Sequence, residues 1–188
     1  MDKLSARTPL GASDPRRSAI GSITIIEVVD IALASVALRL GKADAFGTVA
    51  EDLFAVTPPG PGKWNSGETF TLIWMGPEQW FVEADLAQHD GLDRILKKAL
   101  GDLASLTDQT DGWVRFDVEG FGVVDLLERL CPAPSRRMQT HDATPTPLEH
   151  MGCLLICRET GRRFSVLGPR SFAVSLHHAL CSAARSIA

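Results

Sequence analysis

In the stretch LTDQTDGWVRFDVEGFGVVDLLERLC, residues 106–131, one unit of strands and helices ends and another begins. A strand over roughly 103–109 runs into the polar turn Asp108, Gln109, Thr110, Asp111. Trp113, Arg115 and Asp117 then alternate with Val114, Phe116 and Val118, the period of a half-buried strand. Gly120, Phe121 and Gly122 interrupt it, and Phe121, Val124, Leu127 and Leu130 recur at helical spacing up to Cys131 and Pro132.

Toward the N-terminus, Leu92, Ile95, Leu96 and Leu100 repeat as a helix between Asp90 and Gly101, with Lys97 and Lys98 where cations suit the helix dipole. TFTLIW (69–74) and QWFVEA (79–84) form a hairpin across Met75, Gly76, Pro77 and Glu78. Pro58, Pro59 and Pro61 lack backbone donors, so residues 57–67 read as a loop with Trp64 at the surface. After Gly41, the spacing of Ala43, Phe46, Val49, Ala50 and Leu53 predicts an amphipathic helix. ITIIEVV (23–29) and ALASVALRL (32–40) suit two strands, or one long strand broken near Asp30; a helix stays open for the second.

From residue 33 the order is strand, helix, strand, strand, helix, strand, the split βαβ arrangement of ferredoxin-like units. It partly repeats after residue 111: CLLIC (153–157) and RFSVLG (163–168) make another hairpin. A last helix runs from Ser171 as N-cap through Ala184, with Phe172, Leu176, Leu180 and Ala184 on one face. The fold class is therefore α+β, two intertwined ferredoxin-like halves at about 21–110 and 111–188. Residues 1–20, with Pro9, Gly11, Pro15, Arg16 and Arg17 and no apolar period, read as a flexible arm. The connection 132–149, rich in proline and polar residues, has the length of a functional or partner-ordered segment.

Composition narrows the function classes. A chain of 188 residues with 45% hydrophobic content has ample material for a core. Its formal charge of −4 supplies no footprint for nucleic acid or an anionic membrane. Cys131, Cys153, Cys157 and Cys181 lack CxxC spacing, so free thiols in a reducing compartment are expected. No apolar run approaches about 20 residues and no signal peptide opens the chain, which predicts a soluble cytoplasmic protein.

Several motifs resemble chemistry that their neighbours contradict. Gly120, Phe121 and Gly122 before a helix look like a dinucleotide turn, but Asp125 stands where the third glycine belongs and would repel a pyrophosphate. Gly62-Lys63 ends like a P-loop, yet Thr57 and Trp64 replace the first glycine and the hydroxyl, and prolines remove the amides. No GxSxG elbow is present, so Ser171 has only a capping role. His177 and Cys181 stand four apart, a spacing that can offer two ligands to a metal, and Cys153 and Cys157 share a strand face. Buried thiols and a surface histidine are the plainer reading, and no metal site is assigned. His89, His141, His150 and His178 have no catalytic partner in the sequence. Asp108 and Asp111 either serve a site or cap a turn, and Trp74 and Trp80 flank the first hairpin as core or interface residues.

Three segments, LIWMGPEQWFV at 72–82, the stretch at 106–131, and HMGCLLICRETGRRFSVLGPRSFAVSLHHAL at 150–180, together resemble the gamma subunits of heterotetrameric sarcosine oxidases. The 106–131 segment is also similar to the aspartate-to-glycine-to-helix region of the aminomethyltransferase (T-protein) and related folate-binding domains. The resemblance covers about residues 22–186. It implies the aminomethyltransferase-like folate-binding-domain fold and a non-catalytic subunit of a flavoenzyme that oxidatively demethylates sarcosine to glycine. Hydrogen peroxide, with formaldehyde or 5,10-methylenetetrahydrofolate, would be the other products. FAD, FMN, NAD, tetrahydrofolate and zinc would belong to the alpha, beta and delta partner subunits, with no cofactor and no catalytic residue on this chain. Asp108 matches the folate-domain aspartate in pattern, implying a vestigial folate pocket, although Gln109 and Thr110 depart from it. Trp64, Trp80 and Arg170 are the interface candidates, with the first hairpin and the 132–149 connection as the packing surface. The alternative is a stand-alone folate-binding protein of one-carbon transfer or repair.

Overall fold

A computed structural model of the chain describes residues 5–188. The first four residues of the expected flexible arm lie outside the described residues. The rest of that arm is not flexible in the way its composition suggests. Arg17–Ile20 forms a strand, β1, which returns antiparallel along β2, Ile23–Val28. Ahead of it, the Leu10 and Arg16 amides both donate to the Glu27 carboxylate at 2.9 Å. Glu27 is buried, and a buried carboxylate needs such donors. The composition conceals this because the anchoring group lies outside the arm.

The chain separates into two compact units. One contains Asp30–Gly112 with His141–Thr144. Its elements are β3 (Ile31–Leu38), α1 (Ala43–Phe54), β4 (Trp64–Ser66), β5 (Thr71–Gly76), β6 (Gln79–Asp85), α2 (Leu92–Leu100) and β7 (Ala104–Asp108). The sheet order β4-β5-β6-β3-β7 is antiparallel throughout and contains the ferredoxin-like order, with β4 added at one edge. The alternative helix over 32–40 gives way to β3, whose Ala32, Ala34 and Val36 face the core at strand period. Leu92, Leu96 and Leu100 fall on one face of α2 and are fully buried, each contributing about 2 kcal/mol. Gly101 at φ 52 ends the helix, its amide bonding the Lys97 carbonyl.

The second unit is assembled from the segments ending at Val29, Trp113–Thr140 and Pro145–Ala188. It adds β8 (Trp113–Gly120), α3 (Val123–Leu130), β9 (Ala143–Leu148), β10 (Met151–Glu159), β11 (Arg163–Pro169) and α4 (Ala173–Arg185). Its sheet order is β1-β2-β8-β11-β10-β9. The fourth ferredoxin-like strand is thus β2, which pairs antiparallel with β8 from Ile23 opposite Gly120 to Val28 opposite Arg115. A division at residue 110 therefore assigns residues 21–29 to the wrong half. The break near Asp30 is the crossing from one sheet to the other, since β2 and β3 lie in different sheets.

Three further expectations are corrected. The 57–67 loop contains β4, paired from Trp64 opposite Ile73 to Ser66 opposite Thr71. The 132–149 connection contains β9, whose Pro145 and Pro147 are compatible with an edge strand. Ser171 is not an N-cap: a 3-10 turn spans Arg170–Phe172, the helix begins at Ala173, and no side chain caps it. Phe172 is accordingly half exposed, while Ala173, Leu176, Leu180, Cys181, Ala183 and Ala184 form the buried face.

Candidate functional site

The Asp108 turn comes directly after β7. Asp108 is exposed, and its Oδ1 accepts the Thr110 amide at 2.9 Å, an Asx turn formed by a side chain on its own backbone. Thr110 Oγ1 accepts the Leu33 amide at 3.1 Å, while the Gln109 amide donates to the Leu33 carbonyl at 2.8 Å. The turn is thereby stitched to β3. The carboxylate still reaches solvent, but one of its oxygens already has a structural task.

The interface candidates are occupied differently from expectation. Trp64 is 8% exposed, not a surface anchor. Its amide donates to the His141 carbonyl at 2.9 Å, and its ring lies 4.6 Å from the His141 ring. Lys63 and Asp142 form an ion pair beside them. His141, with no evident role in the sequence, is thus Trp64's packing partner. Trp80 is partly buried, donates Nε1 to the Pro59 carbonyl at 2.9 Å and stacks on Phe46 at 5.4 Å. Arg170 is partly exposed and donates to the Arg7 carbonyl at 3.1 Å.

The histidine and thiols read as packing groups. His177 Nε2 lies 3.1 Å from Ser18 Oγ and 3.5 Å from Cys181 Sγ, and its ring sits 5.6 Å from Phe116. Burial, then the charge of Arg16, holds its pKa below the ordinary histidine value, favouring neutral imidazole. The i, i+4 spacing does bring His177 and Cys181 together, but among the described residues no group of three or more His, Cys, Asp or Glu gathers as a metal would need. All four cysteines are buried thiols outside any disulfide, as expected. Burial pushes the Cys131 thiol up and the Cys153 thiol up to about 11, which keeps both protonated and poorly nucleophilic.

One charged network sits on the face of the second unit's sheet opposite its core cluster, where Leu154, Ile156 and Leu167 are also buried. Arg115 donates twice to Asp117, at 2.8 and 2.9 Å, and Ser165 Oγ donates to the same carboxylate at 2.6 Å. Arg158 donates to Ser165 Oγ at 2.9 Å. Burial raises the Asp117 pKa, but the bonds and charge of Arg115, with Ser165 and Arg158, outweigh it and hold the carboxyl below its ordinary value. Each carboxylate oxygen has a donor, so the group is fixed and is a poor proton shuttle.

The described surface carries a few exposed apolar side chains, Leu40, Phe121, Phe172 and Val174. An open groove of about 1040 Å³ in the second unit has a mixed lining, apolar at Leu130, Met151 and Phe172 and polar at Arg129, Glu149 and His178 among others. Val174 is 66% exposed and Phe121, on the turn before α3, is 76% exposed. The spacing of Phe121 predicts a place on the buried helical face; the helix instead starts two residues later, at Val123. No helix among the described residues is long and apolar enough to cross a membrane.

No protein-family model and no curated protein sequence matches the chain. Solved structures do share its fold. A chain of the heterotetrameric sarcosine oxidase from Corynebacterium sp. U-96, in complex with pyrrole 2-carboxylate, superposes with a TM-score of 0.76 at 20% identity, covering 90% of this chain and 87% of that one. The glycine cleavage system aminomethyltransferase T from Bartonella henselae gives 0.66 at 15% identity, covering 87% of this chain but 46% of that one. The ligand-free regulatory subunit of aspartate kinase from Thermus thermophilus gives 0.50 at 14% identity, over 88% and 98% of the two chains. The likeness is one of fold: the α+β architecture of two antiparallel sheets shared with the oxidase chain and the aminomethyltransferase.

Proposed function

We propose that this chain is a non-catalytic structural subunit, of the gamma type, in a cytoplasmic complex that oxidatively demethylates sarcosine or a related N-methyl amine. Its partners are then the alpha, beta and delta subunits, which carry FAD, FMN, NAD, tetrahydrofolate and zinc. The observation that carries the reading is reciprocal coverage. The fold matches the sarcosine oxidase chain over nearly the whole of both chains, whereas it accounts for less than half of the aminomethyltransferase. The side chains support it: protonated buried thiols, an aspartate fixed by an arginine, and apolar groups turned to solvent suit packing against other proteins better than chemistry.

Co-expression of the tagged chain with the other three subunits, followed by an absorbance spectrum of the eluate, tests it. A stable four-chain particle with a flavin band is expected. A colourless chain that elutes alone sinks the reading.

A second reading, a stand-alone folate-binding protein of one-carbon transfer or repair, is favoured by the fold shared with aminomethyltransferase and by the solvent-facing Asp108 carboxylate. Tetrahydrofolate titrated against the isolated chain while following tryptophan fluorescence separates the two. Saturable micromolar binding that Asp108→Asn abolishes supports this second reading, and a flat trace supports the first.

A further inference from the structure

We propose that His177 is a pH-sensitive latch, holding the N-terminal edge strand β1 against α4 while the ring is neutral and loosening it when the ring takes up a proton. The device is independent of the subunit reading above, because every group it uses lies within the second unit of this chain. β1 has four residues and is paired on one side only, with β2. A short edge strand with few backbone bonds opens at lower free energy than the sheet behind it, so its side-chain contacts decide how firmly it sits.

The contact with α4 is made by Ser18, whose Oγ lies 3.1 Å from His177 Nε2. Both residues are half-buried. The ring lies 5.6 Å from the Phe116 ring of β8, and the Cys181 sulfur, one turn further along α4, is 3.5 Å from Nε2. A neutral imidazole has one N–H and one lone pair, and a hydroxyl and a thiol that can each donate or accept satisfy it. An imidazolium has two N–H groups to place. Nε2 keeps Ser18 Oγ, but among the described residues Nδ1 meets only the Cys181 sulfur at 3.9 Å, a weak acceptor. The charged ring is therefore better solvated once the strand lifts and water reaches both nitrogens.

The charges around the ring act, on balance, in the same direction. Arg16, just ahead of β1, and Arg185 and His178 on α4 oppose a proton on the ring, while Glu27 on β2 favours one. Both Glu27 oxygens already accept the Leu10 and Arg16 amides, and Arg17 of β1 is paired with Glu119. Burial first, then Arg16, thus hold His177 below the ordinary histidine value while β1 is docked. With β1 lifted, the ring returns toward the ordinary value of about 6.5. Docking is then complete above about pH 6.5, weakens as pH falls from there through the docked value, and loses nothing further below it.

Hydrogen exchange of the isolated full chain at about pH 7.5 and about pH 5, corrected for the intrinsic exchange rate, tests the latch. In the wild type, β1 amides should lose protection several-fold on acidification while β10 and β11 keep theirs. His177→Gln, which leaves a polar group opposite Ser18 but cannot be protonated, should abolish that loss. Arg16→Gln, which removes the nearest listed repulsion without touching α4, should shrink it, and this variant decides the matter if His177→Gln does not fold. Wild-type β1 protection that is the same at both pH values overturns the latch. So does an acid loss that persists in full in His177→Gln or grows in Arg16→Gln.

Discussion

The two units share one plan but obtain their fourth strand differently. The Asp30–Gly112 unit takes β7 from the end of its own run, whereas the other takes β2 from a segment that precedes the whole Asp30–Gly112 run. The difference is felt at the turn between the first strand and first helix of each unit. In the Asp30–Gly112 unit, Leu40 is 98% exposed next to Gly41, and a Cβ on Gly41 would have nothing within 4 Å. In the other, Gly120 lies against the Ser22 carbonyl, at the start of the borrowed strand. Borrowing the strand thus turns a loose connection into a pinned one, and the pinned one carries Phe121.

That comparison can be broken most directly by deletion. Removing residues 1–28 takes away β1, β2 and the buried Ile23 and Ile25, and leaves β8 an open edge. Hydrogen exchange should show β8 and β11 amides losing their slow protection, while β3 and β6 keep theirs. Equal loss in both sheets would mean that the units do not fold on separate strand sets.

A smaller effect sharpens the contrast between the turns. Gly120→Ala meets both a positive φ and a backbone overlap, and should cost about 3 kcal/mol. Gly41→Ala, at φ 73 in open space, should cost about 1 kcal/mol. Urea midpoints for the two variants check the ranking, and equal values contradict the pinning.

The smallest effect concerns the Arg115–Asp117–Ser165 network on the second sheet. Asp117 has a folded-state pKa below its unfolded value, so its stabilisation is complete above about pH 4 and is lost as pH falls through the folded value. Asp117→Asn should therefore lower stability at pH 7 by about 2 kcal/mol, by weakening bonds to the Arg115 and Ser165 donors. It should also flatten the acid limb of the stability curve below pH 4. Parallel curves for variant and wild type would remove Asp117 from that account.

Much of this fold can be read from local pattern. The order β3 to β7, the period of Ala32, Ala34 and Val36, and the Leu92, Leu96, Leu100 face are all set by spacings within a dozen residues. The features that local pattern misses are set by distant partners. Trp64 lies among prolines and reads as exposed, but His141, 77 residues on, supplies its backbone acceptor and its ring contact. The arm reads as mobile because Glu27, which anchors it, comes later in another strand. Phe121 fits the helical period, and only the two positive-φ glycines flanking it hint that it belongs to the turn. Of the candidate site, the Asp108 turn is legible because an Asx turn is a local bond; the placement of Phe121 is not, because it depends on contacts with residues 22 and 162.

The claim on which the function rests is that the chain works by holding other subunits. Native mass spectrometry of the particle captured from its own cells on the tagged chain tests this most directly. The expected spectrum is a single assembly with one copy of this chain and one each of three others, its mass including bound flavin. A spectrum dominated by the bare monomer, or by copies of this chain alone, would contradict the account.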